Sequence, residues 1–266
     1  MFDFHNDKKR YFEMQAQNAR SYIVPFVEKH MAISPGMRVL EIGCAEAGVL
    51  KAFIEKGCIA VGVELDEPRL VLAREFMKEE LEQGQISFVS KDIYKVDVEH
   101  ELKGRFDIVI LKDVIEHIHN QEKLIRWMRG LLNPAGVIFF GFPPWQMPFG
   151  GHQQVMTNKL LSKLPYVHLL PMAAYKGVLK FFKQDVASFA EIKETGISIE
   201  RFEKIVAATG YKVVNKTHYF LNPIYTYKFG WKPLQQLGMI SAVPVIRNYL
   251  TTCVYYLIAD AGTQNR

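Results

Sequence analysis

Five acids and two histidines stand where their chemistry could be used. Glu41 interrupts the apolar run Val39, Leu40 and Ile42. Glu64 closes the run that starts at Ile59, Asp92 follows Ile86, Phe88 and Val89, and Asp113 follows the run from Phe106 to Leu111. A carboxylate at the end of a strand accepts hydrogen bonds from hydroxyls or an exocyclic amine, or neutralises a cation. The segment Asp113-Val-Ile-Glu116-His117 adds a second acid and an imidazole at spacings of three and four, which share one face if the segment is helical. His152, in Gly150-Gly-His-Gln-Gln154, is expected to reach the same place from the next loop. Asp113, Glu116, His117 and His152 together could hold a divalent ion that lowers a hydroxyl pKa. Without an ion, His117 or His152 is the candidate general base, with Asp113 beside it. The plainer alternative has His117 packing against its loop.

The elements that must position these residues start at residues 38–50. Val39, Leu40 and Ile42 read as a buried strand; Gly43, Ala45, Ala47 and Gly48 read as a tight loop; apolar residues at helical spacing follow. The helix N-terminus should face a ligand. A glycine-rich turn after a strand suits dinucleotides as well, but a carboxylate two residues before the first glycine would repel a pyrophosphate. Glu41 suits a ligand with positive groups, such as an ammonium or a sulfonium. S-adenosylmethionine carries both, and an adenosine without phosphate. A nicotinamide oxidoreductase would want a Gly-x-Gly-x-x-Gly turn without Glu41, which this loop is not.

Further runs repeat the strand-then-helix alternation. Residues 59–64 are a second strand ending in Glu64, whose carboxylate is suited to both ribose hydroxyls; Leu65 follows, Asp66 is a helix cap, and residues 69–81 are a helix. Residues 86–89 are a third strand, after which Asp92 can take an adenine amine while Ile93 flanks the base. Residues 106–111 are a fourth strand and 137–142 a fifth, joined by a helix expected to run from Asp113 to about Leu132 and a turn at residues 133–136. Such regularity argues for a parallel sheet covered on both faces, with ligands at the carboxyl ends of its strands.

These motifs look like the successive motifs of class I S-adenosylmethionine-dependent methyltransferases, over residues 36–142. The resemblance implies an α/β Rossmann-like fold: a seven-stranded sheet, mostly parallel with an antiparallel last strand, and helices on both faces. It implies S-adenosyl-L-methionine as cofactor. Glu41, Gly43, Cys44 and Ala45 would hold the methionine part and Glu64 with Leu65 the ribose. Asp92 and Ile93 would flank adenine, and the backbone around Leu111 and Lys112 would complete the pocket. The family loop often has three glycines where this chain has Ala45 and Ala47, and alanine adopts positive φ poorly. The Asp113–His117 pattern is similar to the metal-binding helix of small-RNA 2′-O-methyltransferases and ubiquinone-pathway O-methyltransferases. The same helix start is widespread in members that use no ion, so no metal is assigned, and His117, His152 and Asp113 are taken as the catalytic set.

The 266 residues are read as a single methyltransferase domain, 1–266. Within it, residues 1–35 are an N-terminal helical lid or packing helix, helical over 8–31, and 36–145 are the cofactor-binding core. Residues 146–196 are an insertion or substrate cap, with a helix at 175–183, and 197–266 complete the core around a second insertion, 221–250. Residues 198–210 are a helix with Ser198 as cap, 211–220 the sixth strand and 251–259 the seventh. The net charge of +5 permits an acidic substrate without requiring one. No basic stripe with interleaved aromatics favours nucleic acid. Three cysteines without metal-ligand spacing, and a start that is not a signal peptide, point to reduced core thiols in a cytoplasmic protein. The tyrosines and lysines of the inserts are suited to a small-molecule or glycan-related acceptor, equally to a homodimer interface, and at most to peripheral membrane contact. The reading is O-methylation of such an acceptor; the alternatives are a silent binding module of the same fold or a nicotinamide-dependent oxidoreductase. His168 and His218 are read as structural.

Overall fold

The computed structural model describes residues 7–262. The N-terminal helix runs as α1 (Lys8–Asn18), a π-helical turn (Ala19–Ile23) and α2 (Val24–Glu28). The core then alternates β1 (Arg38–Ile42), α3 (Gly48–Ile54), β2 (Ile59–Glu64), α4 (Glu67–Phe76), α5 (Lys78–Glu82), β3 (Ile86–Ser90), β4 (Phe106–Lys112), α6 (Gln121–Trp127) and β5 (Leu132–Phe142). The first insert contributes α7 (Met172–Phe181) and α8 (Val186–Thr195), followed by α9 (Ile199–Ala208) and β6 (Tyr211–Leu221). The second insert holds α10 (Tyr225–Phe229), β7 (Leu234–Gln235), α11 (Gly238–Ser241) and α12 (Ile246–Tyr249), and β8 (Cys253–Asp260) ends the sheet.

The strand order is β3-β2-β1-β4-β5-β8-β6-β7. Strands β1 to β5 pair in parallel, and β8 inserts antiparallel between β5 and β6. The order reverses between β1 and β4, so a crevice opens beyond the carboxyl ends of those two strands. The sheet has eight strands where seven were expected. The extra one, β7, is a two-residue edge strand that the second insert pairs with β6, too short to leave a pattern in sequence.

Side chains alternate between two cores, as strand geometry requires. Val39, Ile108, Ile110, Phe139 and Tyr255 pack on the face covered by the N-terminal helix and α3. Leu40, Val109, Leu111, Phe140 and Tyr256 pack on the face covered by α6 and α9. The apolar side of the first insert was expected to be buried against the core, but α7 joins neither core; Tyr175 and Leu179 pack with Phe189 of α8, Leu161 and Met156 in a cluster of the insert's own.

Three expected helices are interrupted. The N-terminal one contains the π turn and ends at Glu28, before Met31. The one after β2 breaks at Met77, and Asp66 sits at its N-cap position without making a side-chain cap bond. The one after β4 reduces to a 3₁₀ turn (Ile115–His117), α6 and a second 3₁₀ turn (Met128–Leu131). Residues 133–136, read as a turn, form an irregularity inside a longer β5, where the register slips between Phe106 and Ile108. Ser198 caps α9 as expected, accepting from the Arg201 amide.

Among the described residues, no helix is long and apolar enough to cross a membrane.

Candidate active site

The loop after β1 is held by three positive φ angles, at Gly43 (+71°), Ala45 (+52°) and Ala47 (+65°). The two alanines accept a conformation that costs an L residue about 1–2 kcal/mol each, so the loop keeps the path that glycines would give it. Gly43 itself has no room for a side chain, because a Cβ there would lie 2.5 Å from Val114 Cγ2. The amides of Gly43 and Cys44 donate to the Val63 carbonyl, and the Ala45 amide donates to Glu64 Oε2 at 2.9 Å. The same carboxylate takes the amides of Leu65 and Asp66 on Oε1. Glu64 therefore ties the end of β2 to the β1 loop.

A polar cleft of about 120 Å³ opens at the carboxyl ends of β1 and β4. Of the expected cofactor residues, Glu41, Gly43, Cys44, Ala45 and Lys112 wall it. Glu64, Leu65, Asp92 and Ile93 lie outside those walls, and Leu111 is fully buried, so only its backbone could serve a ligand. Leu65 is exposed; Asp92 caps the 3₁₀ turn Ile93–Lys95 by accepting from the Tyr94 amide, and Ile93 is buried beneath it. Glu41 is 3% exposed and its Oε2 has no hydrogen-bond partner. Burial pushes its carboxyl well above the usual carboxylate range, against the opposing charge of Lys112.

Several other walls are not among the site residues expected from sequence. Tyr11 and Gln15 reach in from α1, with Gln15 Nε2 donating to the Tyr11 hydroxyl at 2.7 Å. Arg69 of α4 forms a forked pair with buried Glu46, at 2.8 and 3.2 Å. The Lys112 side chain also enters, paired with Asp113 at 2.5 Å. Burial alone would weaken both charges of that pair; their mutual attraction and hydrogen bond instead raise Lys112 and lower Asp113. The N-terminal helix packs on α3 and contributes Tyr11, Phe12 and Gln15 to the cleft wall.

The expected helical face carrying Asp113, Glu116 and His117 does not form. Asp113 has φ +57°, which turns its carboxylate toward Lys112 and the cleft. Glu116, His117 and His152 come together instead: one donor atom from each lies within 4.8 Å of the others. The two imidazoles stack at 5.1 Å with an interplanar angle of 16°. Glu116 is buried with neither carboxylate oxygen partnered, and His152 Nδ1 is buried without a partner. Burial, with Asp113 nearby, raises Glu116 well above its ordinary value. Burial and His117 push His152 down to about 4, and burial lowers His117 as well.

His168 and His218 are structural, as read. His168 bonds the Trp145 carbonyl at 2.8 Å and Gln153 at 2.8 Å, and His218 bonds the Tyr256 hydroxyl at 2.9 Å. The three cysteines are buried free thiols.

Residues 13–182 match the family model described as "Methyltransferase domain". Among curated proteins, the chain is 29% identical over 104 residues to a ubiquinone biosynthesis O-methyltransferase of Pseudomonas aeruginosa (strain LESB58), covering 39% of this chain and 43% of that protein. It is 29% identical over 120 residues to the same-named protein of Azotobacter vinelandii, covering 44% and 48%. The matched segment thus spans less than half the length of these relatives. Among solved structures, the magnesium protoporphyrin IX methyltransferase of Synechocystis PCC 6803 superposes with a TM-score of 0.54 at 14% identity, covering 93% of this chain and 83% of that one. A S-adenosylmethionine-dependent methyltransferase from Clostridium acetobutylicum gives 0.54 at 11% identity, covering 94% and 92%. These two likenesses establish the fold.

Proposed function

The chain belongs to the methyltransferase domain family, and from that premise we propose that it methylates a hydroxyl of a small-molecule acceptor with S-adenosylmethionine. The observation that carries the reading is Glu41, an unpartnered buried carboxylate on the wall of a cleft at the switch point of the sheet. The residues present fit the cofactor. Glu41 would take its ammonium, and the Gly43–Ala45 loop would pass close to its methionine part. Glu64 would take the ribose hydroxyls with lone pairs left over from its amide bonds, and Asp92 with Ile93 would meet the adenine. The cleft is smaller than the roughly 300–1,000 Å³ of a small-molecule site, which suits an enclosed amino acid end and an adenosine lying outside it.

The bound cofactor supplies an electrophilic methyl group on a cationic sulfur. The chain supplies orientation and a dry site, since the reaction disperses charge rather than building it. His152 would take the acceptor's hydroxyl proton, a role supported by its unpartnered Nδ1 and by its stacking on His117 beside the cleft-wall residue Asp113. Asp113 holds Lys112 at the boundary between the cleft and the trio. The oxygen acceptor is supported by the names of the Pseudomonas and Azotobacter relatives.

A second reading of the trio is favoured by the orphaned oxygens of Glu116. Glu116, His117 and His152 offer one carboxylate and two imidazoles, a donor set that suits a divalent cation. Such an ion would stabilise the alkoxide form of the acceptor.

Calorimetric titration tests the cofactor. S-adenosylhomocysteine should bind and NADH should not, and Glu41→Gln should weaken the former about tenfold or more, as for loss of a buried charge-assisted bond. Binding of NADH in place of S-adenosylhomocysteine refutes the proposal.

A further inference from the structure

The two inserts and the segment after β5 enclose a second cavity, of about 840 Å³. Three rings of the second insert make one wall: Tyr225 and Phe229 are 5.4 Å apart, Phe229 and Trp231 5.2 Å, and Tyr225 and Trp231 6.1 Å. Met147, Pro148, Phe149 and Leu221 complete the apolar lining. Lys159 and Lys163, four residues apart and both exposed, stand at the edge, and no acid lies among the residues that line the space. An open apolar hollow of this size is costly in water unless something fills it. Its volume falls inside the roughly 300–1,000 Å³ range of small-molecule sites.

Tyr225 links the cavity electrostatically to the cleft. Tyr225 lines the cavity, and its hydroxyl, hydrogen-bonded with Thr252, feels the charge of Asp113, which walls the cleft. Burial in that position pushes the phenol up to about 12.

We infer that this cavity seats the acceptor, and that the acceptor is amphipathic: a hydrocarbon chain or fused rings against the aromatic wall, with one anionic group at Lys159 and Lys163. The word acceptor rests on the methyl-transfer reading above; the ligand chemistry of the cavity does not. A bare sugar would leave the three rings wet and both lysines without a counter-charge. A glycan-related acceptor therefore has to bring an apolar portion of its own.

The test uses the full chain with two fluorescent probes, 11-(dansylamino)undecanoic acid and the matching dansylamino-undecanol. The acid should bind about tenfold more tightly than the alcohol, the size of one charge-assisted contact. The double variant Lys159→Gln/Lys163→Gln should reduce the acid to the affinity of the alcohol. Leu221→Trp, which fills the cavity, should weaken both probes at least about tenfold. Affinity for S-adenosylhomocysteine should stay within about twofold in every variant, showing that the fold is intact. Equal binding of acid and alcohol overturns the inference. So does indifference of both probes to Leu221→Trp, or a light-scattering mass showing that a second copy occupies the face and excludes the probes. Probe binding without S-adenosylhomocysteine binding overturns the methyl-transfer reading alone; the converse overturns this inference alone.

Discussion

Replacing Gly48 by alanine tests whether α1 is the roof of the cleft. A Cβ at Gly48 would lie 2.5 Å from the Phe12 carbonyl oxygen, 2.8 Å from Gln15 Cβ and 3.3 Å from the Ala16 amide nitrogen. Two of these are backbone atoms of α1, so no side chain can swing aside. Restoring ordinary contact requires that helix to withdraw by about 0.9 Å. Tyr11, Phe12 and Gln15 all wall the cleft, and they would move with it. Overpacking of this kind costs about 1–3 kcal/mol. The opposing gain, alanine over glycine in a helix, is at most about 1 kcal/mol and smaller at a first residue, and Gly48 starts α3. The clash wins, with a net loss of about 1–2 kcal/mol in stability. If α1 lifts to relieve it, the loss appears instead as about tenfold weaker S-adenosylhomocysteine binding. Gly177 is the control: it lies inside α7 with nothing within 4 Å of its Cβ position, so Gly177→Ala should be neutral or stabilising by up to about 1 kcal/mol. Denaturant melts and calorimetry read both variants. The reasoning fails if Gly48→Ala matches the parent in stability and affinity, or if the two alanines shift stability in the same direction.

Glu200 accepts from the Val245 amide, Arg247 and Asn248, which outweigh burial and hold its carboxyl at about 2. Because its folded value lies below the ordinary 4.5, its contribution is present above about pH 4.5 and is lost as the pH falls toward 2. After discounting for partial exposure, Glu200→Gln should cost about 1–2 kcal/mol at pH 7 and almost nothing near pH 2, as read by urea melts at both values. Glu64→Gln turns an NH₂ group toward one of three amide donors and should cost roughly 1–3 kcal/mol, with weaker S-adenosylhomocysteine binding by calorimetry; an unchanged melt and affinity would count against its place as the tie between β1 and β2. Glu116→Gln should be neutral or stabilising by about 1 kcal/mol without added metal, since it removes an unpaired buried acid. With Mn²⁺ present, the parent should gain thermal stability and the variant should not; equal gains would exclude Glu116 as a ligand.

The legible part of the fold was the local part. Glu41, Gly43 and Glu64 could be placed because strand, loop and helix follow one another within a few residues, and the strand ends fix which way each acid faces. The cleft's other walls are non-local. Tyr11 lies in a stretch read from its pattern only as helix, and nothing near Arg69 announces that it forks onto Glu46 across the loop. The helical face shared by Asp113, Glu116 and His117 fails for a backbone reason: a left-handed residue at Asp113 redirects the chain where helical spacing is expected. Yet Glu116, His117 and His152 still meet, because the loops after β4 and β5 leave neighbouring parallel strands. The second insert was opaque because its elements are two to five residues long, shorter than any period can show.

The Tyr227 hydroxyl of α10 lies 2.8 Å from Ser21 Oγ and 3.2 Å from the Gln17 carbonyl. The aromatic wall of the large cavity therefore hangs from the same helix that roofs the cofactor cleft. A displacement of that helix is therefore felt in both spaces, because whatever shifts Tyr11 and Gln15 at the cleft also shifts the ring wall of the cavity.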